Sequence, residues 1–242
     1  MTEIIYPIRI NRYLALKNYC SRRQADEFIK QKQIKINGKI AKLGNKVFEK
    51  DKVALRAQAK KTQKQRVYLA YNKPVGIETH ASIKGQKDIK GTLEFKTRLF
   101  PLGRLDKDSY GLMILTNDGR ITDKLLNPKY EHEKEYLVEV DRPLSPNFIK
   151  RISSGIQLED FHTKKCFVEQ TGKKSFRIIL TEGKKRQIRR MCEVFRYNVL
   201  DLKRIRIMNI KLYDLKPGQY REIQGEELKE FFKNLFSVLH FA

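Results

Sequence analysis

Cysteine and histidine are scarce in this sequence. The three cysteines, Cys20, Cys166 and Cys192, are odd in number and far apart, and no Cys-x-x-Cys pair is present. This spacing argues against a disulfide framework and against a cysteine zinc site. The four histidines are equally scattered. We therefore expect no bound metal.

A long apolar run is also missing. The sequence has no stretch of about 18 apolar residues, the length that a membrane-spanning helix needs. The segment 1–7 lacks the charged start and the long apolar segment of a secretory signal. We therefore expect a cytoplasmic protein with no membrane partner.

Acidic residues are few relative to basic ones. Lys and Arg number 52 against 28 Asp and Glu, which gives a net charge of +24 over 242 residues. Such a charge favours a polyanionic partner, and RNA or DNA is the leading candidate. Basic composition alone does not separate a nucleic-acid enzyme from a ribosomal protein. The length allows one sizeable domain and a small one.

The first sixty residues have the pattern of a small domain of helices and strands. The segment 21–24, Ser-Arg-Arg-Gln, is a capping box that opens a helix. Ile34–Ile36 is a predicted strand that enters a tight hairpin turn at Asn37-Gly38. The segment 57–65 has no large apolar residue and several like charges, which is typical of an extended linker. We therefore predict a small domain with the start of a linker at 1–60 and a second domain at 61–242.

A lone carboxylate among cations marks the segment 101–119. Asp106 lies on a loop before residues 112–115, which are predicted to form a fully buried strand. A strand anchored in a core is a rigid base for a reactive side chain on the preceding loop. The simpler interpretation is a solvated aspartate that pairs with Arg104 or Lys107.

Two further segments carry candidate site residues. Tyr136 lies in an alternating strand predicted at 134–140, where a tyrosine in line with valines is usually a core aromatic. Arg189 lies on a basic helix whose apolar residues, including Ile188 and Met191, have helical spacing and face the core. The default interpretation of this helix is a solvated face that binds phosphate non-specifically.

A predicted loop at 72–76 follows a short strand. Pro74 disfavours helix at Lys73, and Gly76 permits unusual backbone angles. From the residues alone, Lys73 is interpreted as a surface lysine. The polar, lysine-rich segment 79–97 is interpreted as a loop over or beside a bound RNA.

These segments resemble, in order, the motifs of the RsuA-type pseudouridine synthases, which isomerise uridine in ribosomal RNA. The segments 103–106 and 115–119 are similar to the catalytic motif of that family. The segment 71–76 is similar to its upstream block and 182–191 to its downstream block. Three blocks in the right order are a specific signal.

The resemblance implies an α+β fold of two domains. The segments 10–14, 21–25 and 36–38 are similar to the alpha-L RNA-binding domain, which is shared with ribosomal protein S-four. A pseudouridine synthase catalytic domain would follow, with a mostly antiparallel mixed sheet flanked by helices.

The resemblance also implies roles for three residues. Asp106 would be the nucleophile, and Tyr136 would lie against the target base. Arg189 would pair with the carboxylate, keep it charged and fix its direction. The reaction breaks the bond from the base to C1′ and joins C1′ to C5 without redox change, so no cofactor is expected. Whether Asp106 attacks C1′ or C6, or acts as a base at C2′, stays open.

The expected partner is RNA whose target uridine lies in a loop or is flipped out of a stem. Basic side chains are expected to hold the flanking phosphates. The candidates for this RNA binding are Arg12, Arg22, Arg23, Lys73, Arg104, Lys107, Arg186, Arg190 and Arg204.

Within the family, the segments 132–138, 163–166 and 206–209 are most similar to members that act on the large ribosomal subunit. This similarity implies a uridine in a stem-loop of large-subunit (23S) rRNA and a monomeric enzyme. Ser109 replaces the threonine common in the wider family, and Tyr110 is bulkier than expected at its position. Because of the bulk of Tyr110, the sequence does not determine the shape of the pocket.

Two alternatives remain from the sequence. A non-catalytic RNA-binding or ribosome-assembly protein would have the same basic composition. A pseudouridine synthase that acts on tRNA would have the same motifs, since stem-loops occur there too. The trio of Asp106, Tyr136 and Arg189 favours an enzyme, because a pure binder has no need of a lone carboxylate that faces a polyanion.

Overall fold

The computed structural model describes residues 4–17, 19–55, 66–79 and 99–237. The predicted linker at 57–65 lies outside these ranges, as does the predicted loop at 79–97 apart from Thr79. The chain divides into two compact units, residues 1–66 with 118–120 and residues 67–117 with 121–242.

The first unit contains two helices and two small sheets. Its elements are β1 (Ile8–Arg9), α1 (Ile10–Leu16), α2 (Arg22–Lys30), β2 (Ile34–Ile36), β3 (Lys39–Ile40), β4 (Lys46–Val47) and β5 (Val53–Leu55). Strand β1 pairs with β4, and β2 lies between β3 and β5. The predicted capping box is confirmed, since the Ser21 hydroxyl accepts from Gln24 N at 3.3 Å and Ser21 N donates to Gln24 Oε1 at 3.0 Å. The predicted hairpin at Asn37-Gly38 is confirmed as well, with positive φ at both residues.

The second unit is built on one large sheet, which has nine strands in the described residues. They are β6 (Tyr68–Lys73), β7 (Phe100–Leu102), β8 (Tyr110–Thr116), β9 (Lys134–Val140), β10 (Phe167–Gln170), β11 (Ser175–Leu180), β12 (Val199–Ile207), β13 (Ile210–Lys211) and β14 (Tyr220–Glu222). Their order is β10-β11-β9-β12-β8-β6-β14, with β13 on β12 and β7 on β8. Strands β12 and β8 are parallel, whereas the other pairs are antiparallel.

Helices cover both faces of this sheet. They are α3 (Thr122–Leu126), α4 (Phe148–Ser153), α5 (Gln187–Val194) and α6 (Gly225–Phe236), with 3₁₀ turns at Gly119–Ile121 and Pro128–Tyr130. A mostly antiparallel mixed sheet flanked by helices was the predicted fold class, and it is confirmed. Within the described ranges, no helix is long and apolar enough to cross a bilayer.

Each face of the large sheet has its own apolar core. The front face, as we call it, carries Tyr71, Met113, Tyr136 and Ile178, and it packs against α4 and α5. The back face carries Ala70, Leu112 and Ile114 and packs against α3 and α6. The strict alternation along β6, β8 and β9 produces this division, because successive side chains of a strand point to opposite faces. The strand predicted at 112–115 lies inside β8 and is buried on both faces, as expected.

Candidate active site

One row of the sheet brings candidate site residues together on the front face. Strand pairing aligns Ile178 with Tyr136, Tyr136 with Arg204, Arg204 with Gly111, and Gly111 with Lys73. Residues directly opposite each other on paired strands lie on the same face. Two cations and a tyrosine therefore lie in one line across four strands.

Gly111 lets two strands of this row approach closely. A Cβ atom built there would lie 2.2 Å from the backbone oxygen of Arg204 and 2.8 Å from its backbone nitrogen. The residue also has φ of +104°, a conformation that a side chain disfavours. Glycine is therefore required where the loop that carries Asp106 joins β8.

The loop that carries Asp106 joins β7 to β8, and its backbone is held by neighbouring segments. The Thr79 hydroxyl donates to Leu105 O at 2.8 Å and accepts from Leu105 N at 3.1 Å. Gly76 N donates to Lys107 O at 2.9 Å. The predicted upstream block, which contains Gly76, thus braces the loop by direct contact.

The Asp106 carboxylate itself is half-buried and accepts no hydrogen bond from any described residue. Its backbone oxygen accepts from Ser109 N at 3.1 Å, which closes a turn. The loop is therefore fixed while the carboxylate stays available to a ligand.

Lys73 lies at the end of β6, beside this loop, and is fully buried with 0% exposure. Its ammonium donates to Ser109 O at 2.8 Å and to Pro74 O at 3.0 Å. Burial lowers the pKa of Lys73 to about 8, while the Asp106 and Asp108 carboxylates raise this pKa and the Arg204 guanidinium lowers it. Lys73 is thus within electrostatic reach of Asp106. The interpretation of Lys73 as a surface lysine is wrong, because its place on the front face puts it in the core.

Arg189 contacts the same loop but does not make the predicted pair with Asp106. Its Nη2 donates to Asp108 O at 3.3 Å, and its Nη1 donates to Val199 O at 2.8 Å. Among the described residues, no ion pair joins Arg189 to Asp106. Helix α5 places the guanidinium over the loop backbone, two residues beyond the carboxylate. The guanidinium therefore ties the loop to β12.

Tyr136 packs in the same apolar cluster as residues next to the other two candidates. It is 9% exposed and packs in the front-face core with Leu105 and Ile188, the chain neighbours of Asp106 and Arg189. The three predicted residues thus lie on elements that meet in a single core.

Arg204, one of the predicted RNA-binding residues, is buried at 3% exposure. Its Nε donates to Leu112 O at 2.7 Å, which fixes the side chain beneath the site. Its Nη2 is buried and has no hydrogen-bond partner in the described residues.

The remaining predicted RNA-binding residues lie at or near the surface. Arg12, Arg22 and Arg23 are exposed in the first unit, as are Arg104, Lys107 and Arg186 in the second. Arg186 lies 3.7 Å from Asp108, and partly exposed Arg190 pairs with Asp160.

The sequence interpretation missed Lys134, which lies two residues before Tyr136 on the front face. Burial lowers the pKa of Lys134 to about 8, with a further contribution from the Arg204 guanidinium. The signal was present, because alternate residues of a strand share a face. A lysine two residues before Tyr136 on the same strand could therefore have been assigned to the site.

Several buried donors around the loop lack partners among the described residues. They are Tyr71 Oη, Ser109 Oγ, Arg189 Nε and Arg204 Nη2. Such groups are rare in folded proteins, and they fit a site that awaits oxygen acceptors of a ligand. In the described ranges, no three His, Cys, Asp or Glu side chains are grouped to hold a metal ion. The arrangement offers a carboxylate, an aromatic ring and unused donors in one place.

Comparison with known proteins identifies the family of this chain. A family model described as RNA pseudouridylate synthase matches residues 67–194, and one described as S4 domain matches residues 8–53. A crystal structure of a pseudouridylate synthase aligns with a TM-score of 0.68 at 27% identity, covering 94% of this chain and 99% of that one.

Two relatives extend the match over nearly the whole chain. The dual-specificity RNA pseudouridine synthase RluF of Escherichia coli (strain K12) is 42% identical over 228 residues, covering 93% of this chain and 79% of that protein. An uncharacterized RNA pseudouridine synthase of Aquifex aeolicus (strain VF5) is 37% identical over 235 residues, covering 93% and 94%. The predicted resemblance is confirmed, and the chain belongs to the RsuA-type family of RNA pseudouridine synthases, enzymes that isomerise uridine in RNA, with an S4 domain ahead of its catalytic domain.

Proposed function

We propose that this enzyme uses Asp106 as its nucleophile and that its target is a uridine in a stem-loop of large-subunit (23S) rRNA. The observation that carries the proposal is the state of the Asp106 carboxylate. The surrounding backbone is held by Thr79 and Gly76, yet no described side chain binds the carboxylate. A fixed and unoccupied anion is what attack on a bound nucleotide requires.

Two cations lie close to the Asp106 loop. Lys73 and Arg204 lie in the row beneath the loop, and the Lys73 ammonium is within electrostatic reach of the carboxylate. In this proposal Arg189 does not contact the Asp106 carboxylate. It binds the backbone oxygen of Asp108 and so fixes the loop.

Tyr136 is proposed to lie against the target uracil. Its ring belongs to the front-face core, and its strand register places it beside Arg204. During the reaction the bond from N1 to C1′ breaks, the base rotates, and C5 bonds to C1′. The proton on C5 must then leave while N1 gains one, so no atom is added and no electron is transferred. A closed aromatic pocket would keep the freed uracil in place.

A second substrate class, tRNA, is proposed from the similarity to RluF. That relative carries the description dual-specificity, and the chain matches 79% of its length. The exposed Arg12, Arg22 and Arg23 of the S4 domain are proposed to bind RNA phosphates, as are Arg104 and Lys107 on the catalytic loop. Arg186 and Arg190 are proposed to do so once RNA competes with their carboxylate partners, Asp108 and Asp160.

The test is a map of pseudouridine in the rRNA and tRNA of a deletion strain, complemented by wild type or by variants. Asp106→Ala is expected to fold and to bind RNA but to leave the missing pseudouridine unrestored. Asp108→Asn removes a carboxylate from the same loop and is expected to restore it. An unchanged map in the deletion strain would leave the binding protein as the better interpretation, and retained isomerisation by Asp106→Ala would refute the nucleophile.

A further inference from the structure

In the segment that leads into β9, acidic side chains alternate with basic ones. Glu131, Glu133 and Glu135 alternate with His132 and Lys134. Each glutamate is paired with a cation from another segment of the chain. Lys164 lies 2.6 Å from Glu131, Arg206 lies 2.9 Å from Glu133, and Arg177 lies 3.0 Å from Glu135. In the described part of the chain, no ion pair joins any of the three glutamates to Lys134.

These even-numbered positions carry aromatic and cationic groups. The rings of Tyr130 and His132 are nearly parallel, at 21° with centroids 6.1 Å apart. Lys124 Nζ lies 4.4 Å and Lys129 Nζ 4.7 Å from the centroid of Tyr130. No carboxylate lies within ion-pair distance of Lys124, Lys129 or Lys134 in the described part of the chain. We call Tyr130, His132, Lys124 and Lys129 the aromatic platform.

The platform is held in a fixed position. Asn127 caps the 3₁₀ turn Pro128–Tyr130 by accepting from Lys129 N at 3.2 Å, and proline opens the turn. Glu131 then adopts a positive φ of 53°, which redirects the chain, and its side chain is anchored by Lys164. A preorganised aromatic ring loses little entropy when a flat ligand stacks on it.

The platform is connected to the catalytic site through Lys134. Lys134 Nζ donates to His132 O at 3.1 Å, and its charge is within electrostatic reach of Arg204. Arg204 is the cross-strand neighbour of Tyr136 and has a buried, unpartnered Nη2. Lys134 and Arg204 therefore link the platform to the place where the target uracil is proposed to lie.

We infer that the aromatic platform binds a nucleotide of the substrate RNA adjacent to the target uridine, with its base stacked on Tyr130 and its phosphates held by Lys124 and Lys129. The inference rests on the proposed function for the identity of the RNA. Bases stack on aromatic side chains without regard to sequence. The ammonium groups of Lys124 and Lys129 lie over the partly exposed Tyr130 ring, and they would move from the ring to the RNA phosphates when the base stacks. Burial and the Lys134 ammonium lower the pKa of His132, so at neutral pH its ring stays uncharged beside Tyr130.

The test measures binding of a fluorescein-labelled RNA hairpin with an all-uridine loop. Tyr130→Leu is expected to weaken binding about tenfold, because one stacked base contributes on that order, whereas Tyr130→Phe keeps the ring and binds as wild type does. Lys129→Gln is expected to lower the slope of log affinity against log salt by about one. With substrate RNA, KM rises for Tyr130→Leu while kcat at saturating RNA is unchanged.

Tyr213→Leu is the matched control, since Tyr213 is an exposed tyrosine whose ring lies 5.0 Å from the Arg221 guanidinium. It is expected to bind as wild type does. Equal RNA affinity of Tyr130→Leu, Tyr213→Leu and wild type would refute RNA binding by the platform. If Tyr130→Leu fails to fold, an unchanged salt slope in Lys129→Gln would refute it instead. Conversion of transcribed 23S rRNA and tRNA by wild type is measured in parallel. If Tyr130→Leu loses hairpin binding but wild type converts no uridine in either RNA, the proposed function is refuted while RNA binding by the platform is supported.

Discussion

Lys73 is a charged residue in the core of the catalytic domain. It stays there because two backbone oxygens, those of Pro74 and Ser109, accept from its ammonium. The desolvation that remains lowers the pKa of Lys73 to about 8 from an ordinary value of 10.5. Lysines that are not paired with a carboxylate carry such a cost when they are buried. A lysine in this position links the stability of the fold to pH.

The sign of this linkage follows from proton binding. Between about pH 8 and 10.5 the unfolded chain holds the Lys73 proton and the folded chain has released it. The free energy of unfolding therefore rises with pH in this window, by about 1 kcal/mol per pH unit from this residue. In Lys73→Met this contribution is absent. Urea unfolding is expected to show a difference between wild type and Lys73→Met that is constant below pH 7 and shifts in favour of wild type across the window.

Exposed Lys107, on the neighbouring loop, provides the control. Lys107→Met is expected to differ from wild type by an amount that does not change across the same window. A pH-independent difference for Lys73→Met as well would contradict the depressed pKa of Lys73.

Gly111 is the second residue whose identity the site depends on. In Gly111→Ala the new methyl would meet the Arg204 backbone at 2.2 Å, and φ of +104° would be strained. We expect the variant to lose more than about 2 kcal/mol of unfolding free energy, since neither strand backbone can move away cheaply. Gly183→Ala is the comparison, because no atom lies within 4 Å of its added Cβ. Denaturant unfolding that finds the two variants equally stable would exclude the clash.

Helix α5 shows how one element is positioned for the site. It begins without a side-chain cap of its own, and its first residue, Gln187, is anchored by Glu182 instead. Glu182 Oε1 accepts from Gln187 Nε2 at 2.6 Å and from Lys164 N at 3.1 Å. Gln187 Oε1 in turn accepts from Lys184 N at 3.0 Å. The turn before the helix is thus built around one buried carboxylate.

Glu182→Leu should therefore disturb α5 and, through it, Arg189. Loss of the acceptor leaves the buried Gln187 amide and the partly buried Lys164 N–H without this partner, at a cost of about 2 kcal/mol in unfolding free energy. Turnover is expected to fall as well, because Arg189 holds the loop backbone beside Asp106. Glu182→Gln keeps an oxygen in the same place and is expected to retain most stability and turnover. Urea unfolding and single-turnover assays of the two variants test this expectation. Equal unfolding free energy and equal turnover of Glu182→Leu and Glu182→Gln would contradict it.

Elements whose cause is local were predictable from the sequence. The capping box at Ser21 and Gln24 and the hairpin at Asn37-Gly38 depend on neighbours in the chain, and both were predicted correctly. The strand at Lys134–Val140 followed from its alternation. The burial of Lys73 was not predictable in this way. It depends on strands β6, β8 and β12 lying side by side, and the pairing of distant strands leaves no trace in the local pattern.

The candidate site was predicted by similarity rather than by local pattern. Motif similarity selected Asp106, Tyr136 and Arg189, and these lie on elements that share one core. The bond from Arg189 to Asp108 O, in place of a pair with Asp106, was not predicted. A side-chain contact of this kind depends on the depth and rotation of α5, which its sequence leaves open.

In the protein taken as a whole, the S4 domain and the catalytic domain have separate apolar cores. The S4 domain has an apolar cluster of its own around Ile10, Leu14 and Ile34. In the second unit, the front-face cluster contains the candidate Tyr136 and also Leu105 and Ile188, the chain neighbours of the candidates Asp106 and Arg189. Two RNA-binding regions on one chain raise each other's effective concentration on the same RNA. The net charge of +24 adds a long-range attraction that salt would screen.

This division predicts that affinity and turnover can be separated. Arg22 and Arg23 are exposed at the start of α2, outside the second unit. The double variant Arg22→Gln/Arg23→Gln is expected to raise KM for transcribed 23S rRNA and to reduce the slope of log affinity against log salt by about 1.5, since each phosphate contact contributes about 0.7 to 0.9. Its kcat at saturating RNA should equal that of wild type, because Asp106 and its surroundings are untouched. The double variant Lys229→Gln/Lys233→Gln removes the same charge from exposed positions on α6 and serves as the control. Equal losses of affinity in both double variants would mean that net charge alone attracts the RNA, whereas a fall in kcat for Arg22→Gln/Arg23→Gln would mean that the S4 domain takes part in the chemical step.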